Sequence, residues 1–298
     1  PAFTAAVPSK VYEYLACGLA CLVSPLPRQA ALVAEAGAGS AVAGAAEAAV
    51  VLESWAADPS VVDRLGASGR DYYELRQFIL ETEAQKQKLD AFLKEAAIPA
   101  LNRLGLKPVG VFRPAEGLSP VYVLLRHKSL DTVVNLNAEL AADPDFLSNG
   151  EEFINAPAEA PAFKRMESSL MVAFEGMPQL ERPVSNPGRV FQLRIYESPS
   201  VRTGLKKIEM FNDAGEIRLF REVGLNPVFF GQTVVGTRMP NLTYMLAFKN
   251  MEEQKAAWKK FVSRPEWKRL SAMPEYSDKA ILSGITNLQL VAAEYSQI

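Results

Sequence analysis

Four stretches of this chain occur twice, in the same order and at a nearly constant offset of roughly 120 residues. "YELRQFIL" at 73–80 returns as "FQLRIYES" at 191–198, and "LNRLGLKPVGVF" at 101–112 returns as "FREVGLNPVFFG" at 220–231. "YVLLRHKSLD" at 122–131 pairs with "YMLAFKNMEE" at 244–253, and "AADPDFL" at 141–147 with "VSRPEWK" at 262–268. Such order and spacing indicate an internal duplication. Each copy reads strand, long helix, strand, strand, helix, strand, which is the ferredoxin-like split βαβ. The chain is therefore expected to be α+β, with two tandem βαββαβ domains.

Local signals within the copies agree. Leu89, Phe92, Leu93, Ala96, Ala100 and Leu104 recur at helical spacing, and Pro99 predicts a kink there. Gly105–Pro108 and Gly224–Pro227 each stop a helix and start the next strand extended. Ser129 and Asn250 are expected helix caps, with Glu253 completing a capping pattern. The turn-rich "EGMPQLERPVSNPG" at 175–188 reads as the linker between copies. This places domains at 71–175 and 189–298, with 176–188 between them.

Residues 1–70 have another grammar. "PSKVYEYLACG" predicts a helix, "LACLVS" a strand buried on both faces, and "RQAALVAEAGAG" a helix closed by glycines. "SAVAG" predicts a second short strand, with helical patterns following at 45–57 and 60–68. Two strands of β/α alternation cannot close a parallel sheet alone, so this is a partial, Rossmann-like α/β segment.

Composition narrows the function classes. A net charge of −2 gives no basic excess for nucleic acid, and no apolar run approaches membrane-spanning length. Cys17 and Cys21 are the only cysteines and His127 the only histidine, which leaves no metal-ligand spacing and no histidine cluster. A reducing, cytoplasmic setting is the expectation, with no cofactor indicated. The chain opens on Pro1 rather than Met, so an upstream piece is expected.

The residues "YELR", "GLKPVGVF", "PNLTYMLAF", "RPEWKRL" and the terminal "YSQI" resemble the NIPSNAP family over roughly residues 71–298, more closely in the second copy. That resemblance implies a dimeric α/β-barrel arrangement, two ferredoxin-like units whose sheets meet face to face. It implies no shared catalytic motif. The stretch "VPSKVYEYLACGLACLVSPLPRQAALVAEAGAG" is similar to the donor-binding C-terminal domain of GT-B glycosyltransferases. By that analogy Ser9 and Glu13 would lie beside a nucleotide-sugar, but the partner glutamate of the E-x7-E pattern falls on Ala5.

Strand alternation supplies the site candidates. With Tyr73, Leu75, Ile79, Phe191, Leu193 and Ile195 assigned to the helix-facing side, Glu74, Arg76, Phe78, Gln192, Arg194 and Tyr196 line the barrel interior. Arg76 and Arg194 would then form an anion pocket, or else be tied off by Glu74, Glu167 or Glu197 as structural ion pairs. Arg238 and Asn241 in "GTRMPNLTY" stand where loop polar groups could close a pocket mouth, or could simply fix a turn with Pro240. His127 reads as an exposed strand-end histidine, with a haem or acid/base role as the sharper alternative. Trp258, Phe261 and Trp267 are expected to pack on the sheet.

Three functions compete. The preferred one is an interaction or small-ligand-binding barrel for an apolar or anionic ligand, paired within the chain or as a homodimer. The second is a barrel monooxygenase or isomerase acting on an apolar substrate. The third is a residual glycosyltransferase fragment.

Overall fold

The computed structural model describes residues 10–11, 14, 19–36, 38–58, 61 and 70–298. They fall into two compact units: the described residues up to Asp71 with Lys128–Thr132, and Tyr72–His127 with Val133–Ile298. In the first unit, β1 (Cys21–Val23) and β2 (Gly39–Ala41) pair in parallel, with the helix Pro27–Glu35 between them in sequence. Val11, Cys21, Val23 and Val33 make its small apolar cluster. The helix Ala45–Ala57 follows and buries none of its residues. The expected helices at 8–18 and 60–68 lie mostly outside the described residues.

The second unit is a closed barrel of eight antiparallel strands. These are β3 (Tyr72–Ile79), β4 (Gly110–Pro114), β5 (Val121–His127), β6 (Arg165–Ala173), β7 (Val190–Glu197), β8 (Asn226–Val235), β9 (Asn241–Phe248) and β10 (Gly284–Ala292). Hydrogen bonding orders them β10-β4-β5-β3-β6-β8-β9-β7, and β7 closes on β10. Each half thus has the ferredoxin-like order, β6-β3-β5-β4 in one and β10-β7-β9-β8 in the other. Two seams join the halves, β4 to β10 and β6 to β8. At the second seam a side chain on Gly231 would start 2.8 Å from the Met171 Cβ, so only glycine lets the strands meet there.

Helices cover the outside of the sheet. The first half's long helix runs Glu83–Phe92, passes through a π-helical turn at Leu93–Ala97 and resumes at Ile98–Arg103. Pro99 stands just past that turn; it lacks the donor for an ordinary helical bond and its ring crowds the carbonyl four residues back, which the wider turn relieves. Gly105 and Gly224 stop their helices in the left-handed region, at φ 80° and 88°. Asn250 caps its helix by accepting from the Glu253 N–H at 2.9 Å, and Ser129 accepts more weakly from Thr132 at 3.4 Å.

The core divides into a lumen and two outer layers. Tyr73, Leu75, Phe112, Tyr122, Leu124, Met171, Phe191, Leu193, Phe229, Met245 and Leu290, drawn from both halves, form one cluster inside the barrel. Phe78 packs under the first half's helices with Leu89, Leu93 and Leu101. Tyr196 and Tyr244 pack under the second half's helices with Phe211, Phe220 and Phe261.

This reverses the expected faces. Tyr73, Leu75, Phe191 and Leu193 point into the lumen, whereas Glu74, Arg76, Phe78, Gln192, Arg194 and Tyr196 lie on the helix-facing side. The physical reason is that an eight-stranded barrel is just narrow enough for side chains to fill. On β3 and β7 helices cover the other face, so neither face has an exposed residue, and the more polar face is not the inner one.

Candidate ligand site at the barrel mouth

The two ends of the lumen differ. One end is plugged by aromatic rings: Phe112 meets Phe191 edge-on at 4.8 Å between centroids, and Tyr73 lies 5.0 Å from Phe229. Val184 from the linker and the terminal Ile298 belong to this same cluster. The terminus is fixed by reciprocal bonds between Val109 and Gln297, at 2.8 and 2.9 Å, and Arg189 Nη2 donates to the Ile298 carbonyl at 2.6 Å. Tyr295 adds a hydroxyl bond to Asp90 at 2.5 Å, tying the last residues to the first half.

Moving two residues at a time along each strand leads from this plug to the other end, where the rings give way to a cavity of ≈ 270 Å³. Its apolar wall is Leu75 from β3, Ile195 from β7 and Leu288 from β10, with Pro120 and the Tyr122 side chain from the β5 side. Its polar collar is Gln77, Glu167, Ser169, Thr243 and Thr286, with Thr237 and Arg238 from the β8–β9 turn and Asn241 from the start of β9. Every strand pair that lines it is antiparallel, so inward side chains of neighbours stand directly opposite one another.

The β8–β9 turn is held by one side chain. Asn241 Nδ2 donates to the carbonyls of Thr237 and Arg238 at 2.9 and 3.1 Å. Its Oδ1 accepts from the Thr233 hydroxyl at 2.6 Å. These bonds hold Arg238 at φ 56°, the left-handed region; no other non-glycine residue among those described has a positive φ. Its guanidinium stays loosely tied, with Nη1 3.4 Å from the Thr286 hydroxyl and 3.7 Å from Glu197. Glu167 is paired with Arg165 at 2.7 Å. Burial pushes the Tyr122 phenol up to about 12, with Arg238 opposing and Glu167 reinforcing the rise, so it is a hydrogen-bond donor at neutral pH.

The other expected site residues lie elsewhere. Glu74 accepts from Arg76 Nε at 2.7 Å, Arg76 Nη2 at 3.1 Å and the Ser168 hydroxyl at 2.9 Å. His127 is fully buried rather than exposed, with Nε2 3.3 Å from the same carboxylate. Gln192 donates to Asn287 at 2.8 Å and accepts from the Trp258 indole at 2.7 Å. Arg194 stacks over Trp258 and Tyr196, at 4.9 and 5.2 Å from their ring centroids. Tyr196 shares a 3.0 Å hydroxyl contact with Tyr244, and burial raises it to about 12. Arg76 and Arg194 are therefore taken up by structural contacts outside the lumen. Ser9 and Glu13 lie outside the described residues.

Of the expected mouth residues, the structure brings Arg238 and Asn241 to the cavity. It adds Leu75, Gln77, Tyr122, Ser169, Ile195, Thr243, Thr286 and Leu288, which the sequence did not mark as site residues. Their shared strand parity was the available signal, but Leu75 and Ile195 were assigned by that parity to the helices. Among the described residues no group of three or more His, Cys, Asp or Glu is placed to hold a metal ion, and no helix is long and apolar enough to cross a membrane.

Two ferredoxin-like sheets closed into one barrel, helices outside and a cavity at one mouth, define the ferredoxin-like α/β-barrel class. Solved structures agree on the fold. A candidate monooxygenase from Fusobacterium nucleatum superposes with a TM-score of 0.50 at 8% identity, over 75% of this chain and 92% of its own. Another from Lactobacillus acidophilus gives 0.50 at 9% identity, over 75% and 94%. The NIPSNAP family model matches residues 191–297, so the second half of the barrel is a NIPSNAP domain. A NIPSNAP-like domain protein from Burkholderia xenovorans aligns at 17% identity over 37% of this chain and 90% of its own, with a TM-score of 0.32. No curated protein matches the chain.

Proposed function

We propose that the chain is a NIPSNAP-type barrel that binds a small molecule in the open end of its lumen. The observation that carries this is the contrast between the two ends: aromatic packing at one, and at the other a ≈ 270 Å³ cavity with an apolar wall and a polar collar. Small-molecule sites have this composition, and barrel mouths are a common place for them. A fragment panel followed by methyl NMR tests it. Binders should shift the methyl signals of Leu75, Ile195 and Leu288 and leave those of Leu93 and Leu136, on the helix side, in place. A panel that moves only helix-side methyls, or none, overturns the reading.

The accompanying domain division makes 71–175 and 189–298 two NIPSNAP-like copies from an internal duplication, joined by 176–188. The identical strand order of the halves supports it. Pairing within the chain then does what a homodimer would do for a single copy. Residues 1–70 are taken as a separate glycosyltransferase-like segment with no activity of its own, because Ala5 replaces one glutamate of the donor pattern. A cytoplasmic setting goes with this reading.

A second reading, a barrel enzyme of the monooxygenase or isomerase kind, draws on the candidate monooxygenases that share the fold. In that case the Tyr122 phenol would donate a hydrogen bond to a substrate oxygen rather than remove a proton. Turnover of a cavity-sized aromatic that is lost in Tyr122→Phe without loss of binding would favour it.

A further inference from the structure

Resting on the lumen reading, we infer that the mouth cavity recognises a carboxylate on a small ring or short apolar chain, with Arg238 and the Tyr122 hydroxyl as its two donors. Three observations converge on this. The first is backbone strain. A non-glycine residue in the left-handed region costs free energy that glycine would avoid, and such positions cluster at ligand clamps. Here the strained residue is an arginine, held at φ 56° by Asn241 in a turn that opens onto the cavity.

The second is that this arginine is weakly engaged. Arg76 is locked onto Glu74 by bonds of 2.7 and 3.1 Å, and Arg194 is covered by aromatic rings. Arg238 reaches its neighbours only at 3.4 and 3.7 Å, and its side chain is 61% exposed. A guanidinium so placed can turn onto an incoming carboxylate and form the paired bonds that its planar fork favours.

The third is Tyr122. It is 4% exposed, lines the cavity, and its hydroxyl makes no hydrogen bond among the described residues. That hydroxyl is not among the buried polar atoms left without a partner, so it is open to the cavity, where a ligand oxygen would take the place of water. The cavity also contains Glu167, which would repel an anion, but Arg165 pairs with that carboxylate. Glu197 stands 3.7 Å from Arg238 and would have to yield it to the ligand. As to size, a cavity of about 150 Å³ can hold benzene, so ≈ 270 Å³ suits a ring with a head group.

The test is calorimetric titration of the full chain with benzoate, benzamide and benzyl alcohol, which share a ring and differ in head group. Benzoate should bind about tenfold more tightly than either neutral probe. Arg238→Gln should weaken benzoate by about tenfold and leave benzamide within about twofold, and Arg238→Lys should recover part of the loss. Tyr122→Phe should weaken benzoate by about fivefold. Benzamide binding as tightly as benzoate, or benzoate binding unchanged by Arg238→Gln, overturns the carboxylate assignment while leaving lumen binding in place. If none of the three probes binds and no lumen methyl moves, both readings fail.

Discussion

Glu74 and Arg76, two residues apart on the outer face of β3, are joined by bonds of 2.7 and 3.1 Å that engage both carboxylate oxygens. Burial alone would raise the Glu74 pKa. His127, Arg76 and Ser168 outweigh burial and bring it from an ordinary 4.5 to about 2.

That depression makes stability depend on acid. A carboxyl whose folded pKa is lowered contributes stability that is complete above its unfolded value, and that stability is lost as pH falls through the folded one. Glu74 should therefore contribute roughly 3 kcal/mol at neutral pH, lost progressively between about pH 4.5 and pH 2. Urea unfolding across that range checks it. Glu74→Gln should flatten the acid limb, and an unchanged limb in that variant would assign the loss to other groups.

The second half buries an ion pair of a different kind. Lys207 and Glu216 are both nearly inaccessible and stand 3.4 Å apart, with Asp278 3.8 Å from the same ammonium. Burial raises the Glu216 pKa against the pull of Lys207. Lys207→Met alone should destabilise by about 3 kcal/mol, whereas Lys207→Met with Glu216→Leu should come within about 1 kcal/mol of the parent. Denaturant titration of the parent, both singles and the double closes the cycle.

Leu193 is fully buried among lumen side chains. Leu193→Asp should cost more than about 4 kcal/mol, and Leu193→Met less than about 1.5 kcal/mol. Thermal unfolding distinguishes a filled lumen from a water-filled one, in which the aspartate would be tolerated.

Arg238→Gly should raise stability by about 1 kcal/mol by relieving the left-handed backbone strain. Asn241→Ala should lower it by about 1–2 kcal/mol, since the Asn241 side chain serves two carbonyls and the Thr233 hydroxyl. Opposite shifts in melting temperature are the expected result.

A chain starting at Asp71 should fold cooperatively, because Tyr72–His127 with Val133–Ile298 is a compact unit with its own barrel and helical cores. Loss of the cooperative transition on removing residues 1–70 would refute that modular division.

The repeat offset made the strand order legible, since β3 and β7 begin the two units it predicts. Gly105, Gly224 and Asn250 announced helix ends by backbone and capping chemistry that depends on nearby residues alone. Pro99 signalled an interruption, and the π-helical turn is how the helix absorbs it. The inner face was not legible. Leu75 and Glu74 alternate on one strand, and both are buried, one against the opposite sheet and the other against Arg76, Ser168 and His127. Alternation separates buried from solvated faces, and on β3 and β7 neither face is solvated, although β6 and β10 expose outward residues such as Met166 and Ile285. Arg238 and Asn241 stood out because turn residues carry their own signature. Tyr122 did not, because a strand tyrosine looks the same in sequence whether its hydroxyl meets a partner or a void.

Because the barrel closes within one polypeptide, its two jaws need not be mirror copies. Where one side of the mouth offers Pro120 and Tyr122, the other offers Asn241 and Thr243. A pair of identical subunits would be obliged to present the same side chain twice across the axis. Covalent union lifts that obligation, so a guest with unlike ends can be gripped in a single orientation, and dilution cannot pull the grip apart.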